Sequence, residues 1–361
     1  MMFPRSVLPV TIFACWVFLQ NAAVAGNWLF VSLLQEKAIV TFERDVETGR
    51  LIRRGRTTCP AEPAILSASG NGELLFVSLR STGQLASYRI NSSTGTLKLL
   101  STVNGGDDPA YLQTDRTGQF LFAAYYAANK VTVHRVLPDG RLSDAPLQTV
   151  PTAARAHGIA VGTKNHAVFV PHTGANRIYQ FQFDPKQGRL QAAEPPYLTT
   201  PDSHHPRHLM LHPSDRWAYT SDEAGDSISV YDVDSKQATL KLKQTVSSIP
   251  ADFDGSKNTT ARCEITPNGR FIYVANRGHD SIAGFAIDQS SGMVRSLGQF
   301  STEPTPRSFS ISADGRYLYA AGQASGRLVV YRIGETGILE DIGRFESGPV
   351  SWSALCVDTA D

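Results

Sequence analysis

Residues Asn268–Phe285 read NGRFIYVANRGHDSIAGF, and the order of residue types in this stretch decides the fold. Asn268-Gly269 supplies the positive φ that a tight turn needs. Phe271-Ile272-Tyr273-Val274 forms an apolar strand, Asn276-Arg277-Gly278-His279-Asp280 makes a polar knot, and Ile282 and Phe285 mark the strand that returns. The unit occurs seven times. Its last strand aromatics align as Phe30, Phe76, Phe122, Phe169, Tyr219, Tyr273 and Tyr319, at intervals of 46, 46, 47, 50, 54 and 46 residues.

Around each copy the same punctuation returns. Asn71-Gly72, Thr117-Gly118 and Asp314-Gly315 precede apolar strands, and Gly140-Arg-Leu142 and Gly188-Arg-Leu190 lead into outer ones. A short strand stands before each turn, as in Pro109-Ala-Tyr-Leu, Pro206-Arg-His-Leu and Pro306-Arg-Ser-Phe. Four strands per period in the mid-forties, with no helical periodicity between them, predict an all-β, seven-bladed β-propeller of four-stranded blades. The N-terminal copy lacks its innermost strand, and Val350–Val357 at the C-terminus has the pattern to supply it. The ring is therefore expected to close by the C-terminal strand joining the N-terminal blade, which removes an exposed sheet edge.

Arg5, the apolar run Val7–Leu19 and the small residues Ala23-Val24-Ala25 predict a secretory signal peptide over residues 1–25, cleaved between Ala25 and Gly26. Residues 26–361 are then one domain, secreted or periplasmic, with no stable membrane insertion after cleavage. Without Arg5 the chain carries 33 basic and 33 acidic residues. That balance, without a Lys/Arg cluster, argues against a nucleic-acid partner. Cys59, Cys263 and Cys356 are too few and too far apart for a disulfide framework or a zinc site, although a Cys59–Cys356 bridge is conceivable. The insertion 249–260 reads as a surface loop or as a lid over one channel mouth.

Propeller ligands sit where polar groups converge on the channel. The inner strands begin with Tyr111, His157, Arg207, Arg262 and Arg307. The apolar strands end at Tyr125-Tyr126, His172, Asp222-Glu223, Asn276-Arg277 and Gln323. The runs Pro206-Arg207-His208, Asp222-Glu223, Asn276 to Ile282 and Pro306-Arg307 resemble the seven-bladed lactonase family, which includes propeller-type 6-phosphogluconolactonases and carboxymuconate cycloisomerases. The resemblance spans Asn27–Val357 and implies a small-molecule lactone substrate and a catalytic set of His157, Arg207, Glu223 and Arg277. Tyr126, Asn276, His279, Arg307 and Gln323 are expected to bind substrate. His172-Thr173-Gly174, Tyr125 and Asp222 stand where the family usually has other residues.

Lactone hydrolysis needs an activated water and a stabilised oxyanion. Arg207 or Arg277 suits the oxyanion, and Glu223 or His157 suits the base. The remaining Arg, with His279, suits a phosphate or carboxylate. Asp280 and Ser281 read better as turn ties. His208 and His212 are too far apart along a strand to share a metal ion. Neither a metal nor a cofactor is expected, and a monomer is. The alternatives are a non-catalytic propeller that binds carbohydrate or protein, and a muconate-type cycloisomerase.

Overall fold

In the strand Asn27–Leu33, Trp28 and Phe30 point to one side while Leu29, Val31 and Leu33 point to the other, and both sets are buried. Period-2 alternation means that a strand apolar on both sides must lie between two other layers. The first set packs on Leu75, Val77 and Tyr88 of the next blade, the second on Tyr317, Tyr319 and Leu328 of the last. The computed structural model describes residues 26–359, and in it this sandwiching repeats at seven inter-blade seams. Each fully buried large side chain contributes about 1.5–3 kcal/mol, so the seams carry the stability.

Seven sheets of four antiparallel strands result, as the repeat predicts, and helix is limited to the 3-10 turns Arg80–Thr82 and Gly255–Lys257 among the described residues. We number the blades 1 to 7 from the N-terminus. Blade 1 is closed by Ser351–Asp358, which pairs antiparallel with Asn27–Leu33 in a register running from Asn27↔Asp358 to Ser32↔Ser353. Around this seam Gly26 N–H donates to Thr359 Oγ1 at 2.8 Å and Thr359 N–H donates to the Gly26 carbonyl at 3.0 Å. Buried Arg44 ion-pairs with Asp358 and donates from Nε to the Trp28 carbonyl at 3.1 Å. On the other side, Gly49 (φ +72°) lies flat on Tyr317 of blade 7, where a Cβ would come 2.4 Å from the ring.

The expected leader, residues 1–25, lies outside the described residues. The conceivable Cys59–Cys356 bridge does not form: both thiols are free, Cys59 in the seam between blades 1 and 2 and Cys356 against the seam with blade 7. Insertion 249–260 is tied to the two blades it connects, the fifth and the sixth. Asn258 Nδ2 donates to Asp226 Oδ1 at 2.6 Å, its Oδ1 accepts His279 N–H, and Phe253 meets the His279 ring edge-on at 4.7 Å. Gly278 (φ +118°) passes so close that a Cβ would lie 1.9 Å from the Lys257 carbonyl oxygen.

The feature that shapes the channel is a break in register near the start of the inner strands. In blades 2, 3, 5, 6 and 7 the pairing slips between Pro63 and Leu66, Pro109 and Tyr111, Pro206 and His208, Thr260 and Cys263, and Pro306 and Ser308. In blade 1 it skips Trp352. A bulge leaves one residue out of the ladder and re-aims its side chain, and here the residues freed include Arg207, Arg307 and Trp352. Serines on the neighbouring strands hold the bulges. Ser221 Oγ accepts the His208 N–H at 3.3 Å and donates to the Ala261 carbonyl at 2.7 Å. Ser32 does the same with Ser353 and Ala64.

Deleting residues 350–361 should lower the melting temperature by roughly 10 °C or more, because it opens a seam and bares a sheet edge. Calorimetry on the chain starting at Gly26 checks this; unchanged melting would rule out the closure as a stability element.

Candidate active site

Alternation at the strand ends sorts the polar pairs. Four residues past each anchoring aromatic lie Leu34, Arg80, Tyr126, Thr173, Glu223, Arg277 and Gln323. Six of these donate their backbone N–H to the carbonyl of a residue just ahead of the inner strand, at Val350, Glu62, Asp108, Arg155, His205 and Thr305 respectively. Of those carbonyl residues all but Glu62 have positive φ. The residue one step earlier turns into the blade, which corrects part of the sequence reading. Tyr125 Oη meets Thr132 Oγ1 at 3.2 Å, and His172 Nδ1 contacts the Val170 carbonyl at 2.8 Å. Burial pushes the His172 pKa down to about 4. Asp222 accepts from Thr220, Ser227 and Ser229 at 2.7, 2.9 and 2.6 Å, and burial pushes its pKa up to about 6.

Asn276, expected at the substrate, is likewise turned in. Its Oδ1 accepts from Ser248 Oγ at 2.8 Å, and its Nδ2 donates to the Ser248 carbonyl and to Ser281 Oγ. The His279 ring bonds Ser281 Oγ at 2.7 Å and faces Phe253, so the structure uses it as scaffold for the insertion. Asp280 ties the turn as read, accepting from Gly278 and Thr305 N–H. Gln323 holds the equivalent rim position in blade 7 with its backbone bonded to Thr305. Arg262 pairs with Glu264 at 3.0 Å.

The residues brought together are Glu223, Arg207, Arg277, Arg307 and His157. Arg277 Nη2 donates to Glu223 Oε1 at 2.5 Å and to the Thr260 carbonyl at 3.0 Å. Arg207 Nε lies 3.4 Å from the same Oε1, and its Nη1 donates to His208 Nε2 at 3.0 Å. His208, missed as a site residue, begins a column of rings. It meets Tyr111 at 5.0 Å and His157 at 5.6 Å, and His157 meets Tyr126 edge-on at 5.5 Å. Across the mouth, the Arg307 guanidinium lies 3.8 Å from the centroid of Trp352 and that of Arg80 lies 5.2 Å from it. Arg80 was also missed, yet its place four residues past Phe76 is a signal the repeat already contains.

Charge is unbalanced here. Three guanidiniums face one carboxylate, and Arg80 has Asp108 (Nη2 to Oδ2, 2.8 Å). Burial and then Arg277 lower the Arg207 pKa to about 10. Burial, then Arg207, Arg277 and Arg80, push that of Arg307 well below its usual value. For Glu223, burial works to raise the pKa, but Arg207 and Arg277 outweigh it and hold the carboxyl below its ordinary range. His157 is pushed well down by burial and by Arg207 and Arg307, so its imidazole is neutral. Arg207 Nε, Arg277 Nε and His157 Nδ1 are buried without a hydrogen-bond partner among the described residues.

A β-propeller with a cationic mouth built around one carboxylate is the class that this geometry defines. A sequence profile described as "Lactonase, 7-bladed beta-propeller" matches residues 29–357, and the chain belongs to that family. It is 33% identical over 227 residues to the 6-phosphogluconolactonase of Enterobacter sp. (strain 638), covering 62% of this chain and 66% of that protein. Against the 6-phosphogluconolactonase of Serratia proteamaculans (strain 568) it is 31% identical over 224 residues, or 62% and 67%. The chain thus matches about two thirds of the length of these relatives. The periplasmic gluconolactonase of Pseudomonas aeruginosa superposes with a TM-score of 0.84 at 26% identity, covering 92% of this chain and 99% of that one.

Asn276→Ala should cost about 2 kcal/mol of unfolding free energy, since it strands buried Ser248 groups. Chemical denaturation reads that loss. An unaltered midpoint, with ligand affinity lost instead, would return Asn276 to the binding site.

Proposed function

We propose that this protein hydrolyses a sugar-type lactone that carries an anionic group, in the manner of a 6-phosphogluconolactonase. The observation that supports this best is Glu223, whose Oε1 is held by Arg277 and approached by Arg207 while Oε2 has no hydrogen-bond partner among the described residues. In this reading Oε2 takes a proton from water as the water attacks the ring carbonyl. Arg207 and Arg277 donate to the oxyanion that forms, in a site where preorganised donors contribute about 3–4 kcal/mol each. Collapse breaks the ring C–O bond, and the proton held on Glu223 passes to the departing alkoxide. Lactone plus water becomes hydroxy acid, with no net proton on the enzyme.

Neutral His157 serves as a hydrogen-bond partner to substrate, and Tyr126 and Gln323 line the rim. The surplus guanidinium charge favours a phosphate or carboxylate, because unpaired buried cations are costly until an anion arrives. The names of the relatives point the same way. We further propose that residues 1–25 direct export and that residues 26–361 act as one monomeric domain. The periplasmic relative supports an extracytoplasmic setting, where the substrate is an anionic sugar lactone available outside the cytoplasm.

A panel of gluconolactone and 6-phosphogluconolactone, assayed below pH 8 to limit spontaneous opening, tests the reading. Glu223→Gln should lower kcat by ~10²–10⁴-fold and Arg277→Ala by ~10²–10³-fold. No turnover of any lactone by the wild-type chain would leave the binding-propeller alternative standing.

The pH profile distinguishes the base. The Glu223 pKa is depressed, so the active carboxylate persists as pH falls through the usual glutamate value of 4.5 and is lost only below it. Arg277→Ala removes one cause of the depression and should move that acid limb to higher pH. An acid limb that persists unchanged in the residual activity of Glu223→Gln would instead implicate the His157 imidazole, which burial, Arg207 and Arg307 also hold below its usual value.

A further inference from the structure

Arg307 is the one member of the cluster for which the lactonase reading does not account geometrically. It is half-buried, and no hydrogen bond or ion pair joins its guanidinium to any described residue. Arg207, Arg277 and Arg80 all press against its charge. A long side chain in that position keeps its freedom unless something apolar holds it. What holds it is the indole of Trp352, 3.8 Å from its guanidinium carbon, and the same ring carries Arg80 at 5.2 Å.

Trp352 is placed for this by the ring closure. It is the residue skipped in the pairing of Ser351 and Ser353 with Leu33 and Ser32, so its side chain leaves the ladder and enters the mouth. Ser351 Oγ below it is fixed by Ser347 Oγ at 2.8 Å and the Gly348 carbonyl at 3.1 Å. Its ring also packs against the buried cluster containing Ile65 and Leu112. Blade 1 stands between blades 7 and 2, so one indole on its inner strand can serve an arginine from each side.

We propose that Trp352 is a positioning residue that stacks Arg307 into a site for a substrate oxyanion, either phosphate or carboxylate; Arg80 adds positive charge beside the same ring but gives its own Nε and Nη2 to Asp108. The C-terminal strand is thereby part of the binding machinery as well as the clasp of the ring. The proposal rests on the lactone reading for the identity of the substrate, but not for the existence of the anion site. A guanidinium fork held flat by an aromatic face keeps its edge N–H groups free for a tetrahedral or planar oxyanion.

Two measurements on the chain starting at Gly26 test this. The first follows tryptophan emission while inorganic phosphate is added. Trp28 and Trp217 are buried in seams, so a saturable change in the wild type that disappears in Trp352→Phe and in Arg307→Ala is expected. The second compares lactones. Trp352→Leu should raise KM for 6-phosphogluconolactone by ~10-fold with kcat changed by under ~3-fold, and should penalise uncharged gluconolactone several-fold less. Trp352→Phe, which keeps a ring, should recover most of the loss.

Equal losses on the two lactones, or a phosphate titration unaffected by Arg307→Ala, would overturn the proposal. Arg307→Ala leaves the closing strand intact, so the first test stands even where a Trp352 variant folds poorly. If no lactone is turned over while phosphate still binds through Trp352, the lactone reading fails and this proposal survives.

Discussion

A blade packed between two others has no free face, and that constraint governs everything else in the molecule. Each second strand must be apolar on both sides, which is why Leu29 and Val31 go to one neighbour and Trp28 and Phe30 to another. Polar side chains are thereby expelled to the strand ends and to residues that slip out of the ladder. Both kinds meet at one mouth of the channel. The bulges deliver Arg207, Arg307 and Trp352 from the inside, and the strand ends deliver Arg80, Tyr126, Glu223 and Arg277 from the rim.

The mouth is electrostatically unfinished by design of its surroundings. Glu223 neutralises one guanidinium equivalent, and burial, followed by the repulsion among the remaining guanidiniums, lowers the pKa values of Arg207 and Arg307. Such a cluster destabilises the empty protein. The apolar seams tolerate it because they are continuous around the ring and share no residue with the rim charges. Stability and chemistry are thus separated by radius, and serines such as Ser32 and Ser221 form the bridge between the two layers.

Much of this was legible in the chain itself. The spacing of aromatics and the missing inner strand follow from period and pattern, and the resemblance of short motifs to the lactonase family picked out Arg207, Glu223 and Arg277 among the polar strand-end residues. What could not be read was parity. In Asp222-Glu223 and Asn276-Arg277 both residues look chemical, and only the register of the strand end decides that the first is a buried tie and the second a rim group. His279 attracted attention for its motif, but its partners Phe253 and Ser281 come from tertiary packing. Arg80 was hidden because Leu79-Arg80-Ser81 resembles nothing, although its offset from Phe76 matches that of Arg277 from Tyr273. Trp352 was hidden because a closing strand reads as pure architecture, and a bulge is invisible in sequence.

The interlock of Asn27–Leu33 with Ser351–Asp358 also orders events in time. These are among the first and last strands of the folded chain to be synthesised, and no nearer segment substitutes for either. Six blades can form as local hairpin stacks while the chain is still emerging, but the first remains a three-stranded sheet with an open edge. The ring is therefore unable to shut until Ser351–Asp358 has been made and is free to pair. Closure of so long a loop is slow relative to hairpin formation. A propeller built this way stays open until its closing strand has been made, and it becomes a ring only as a whole.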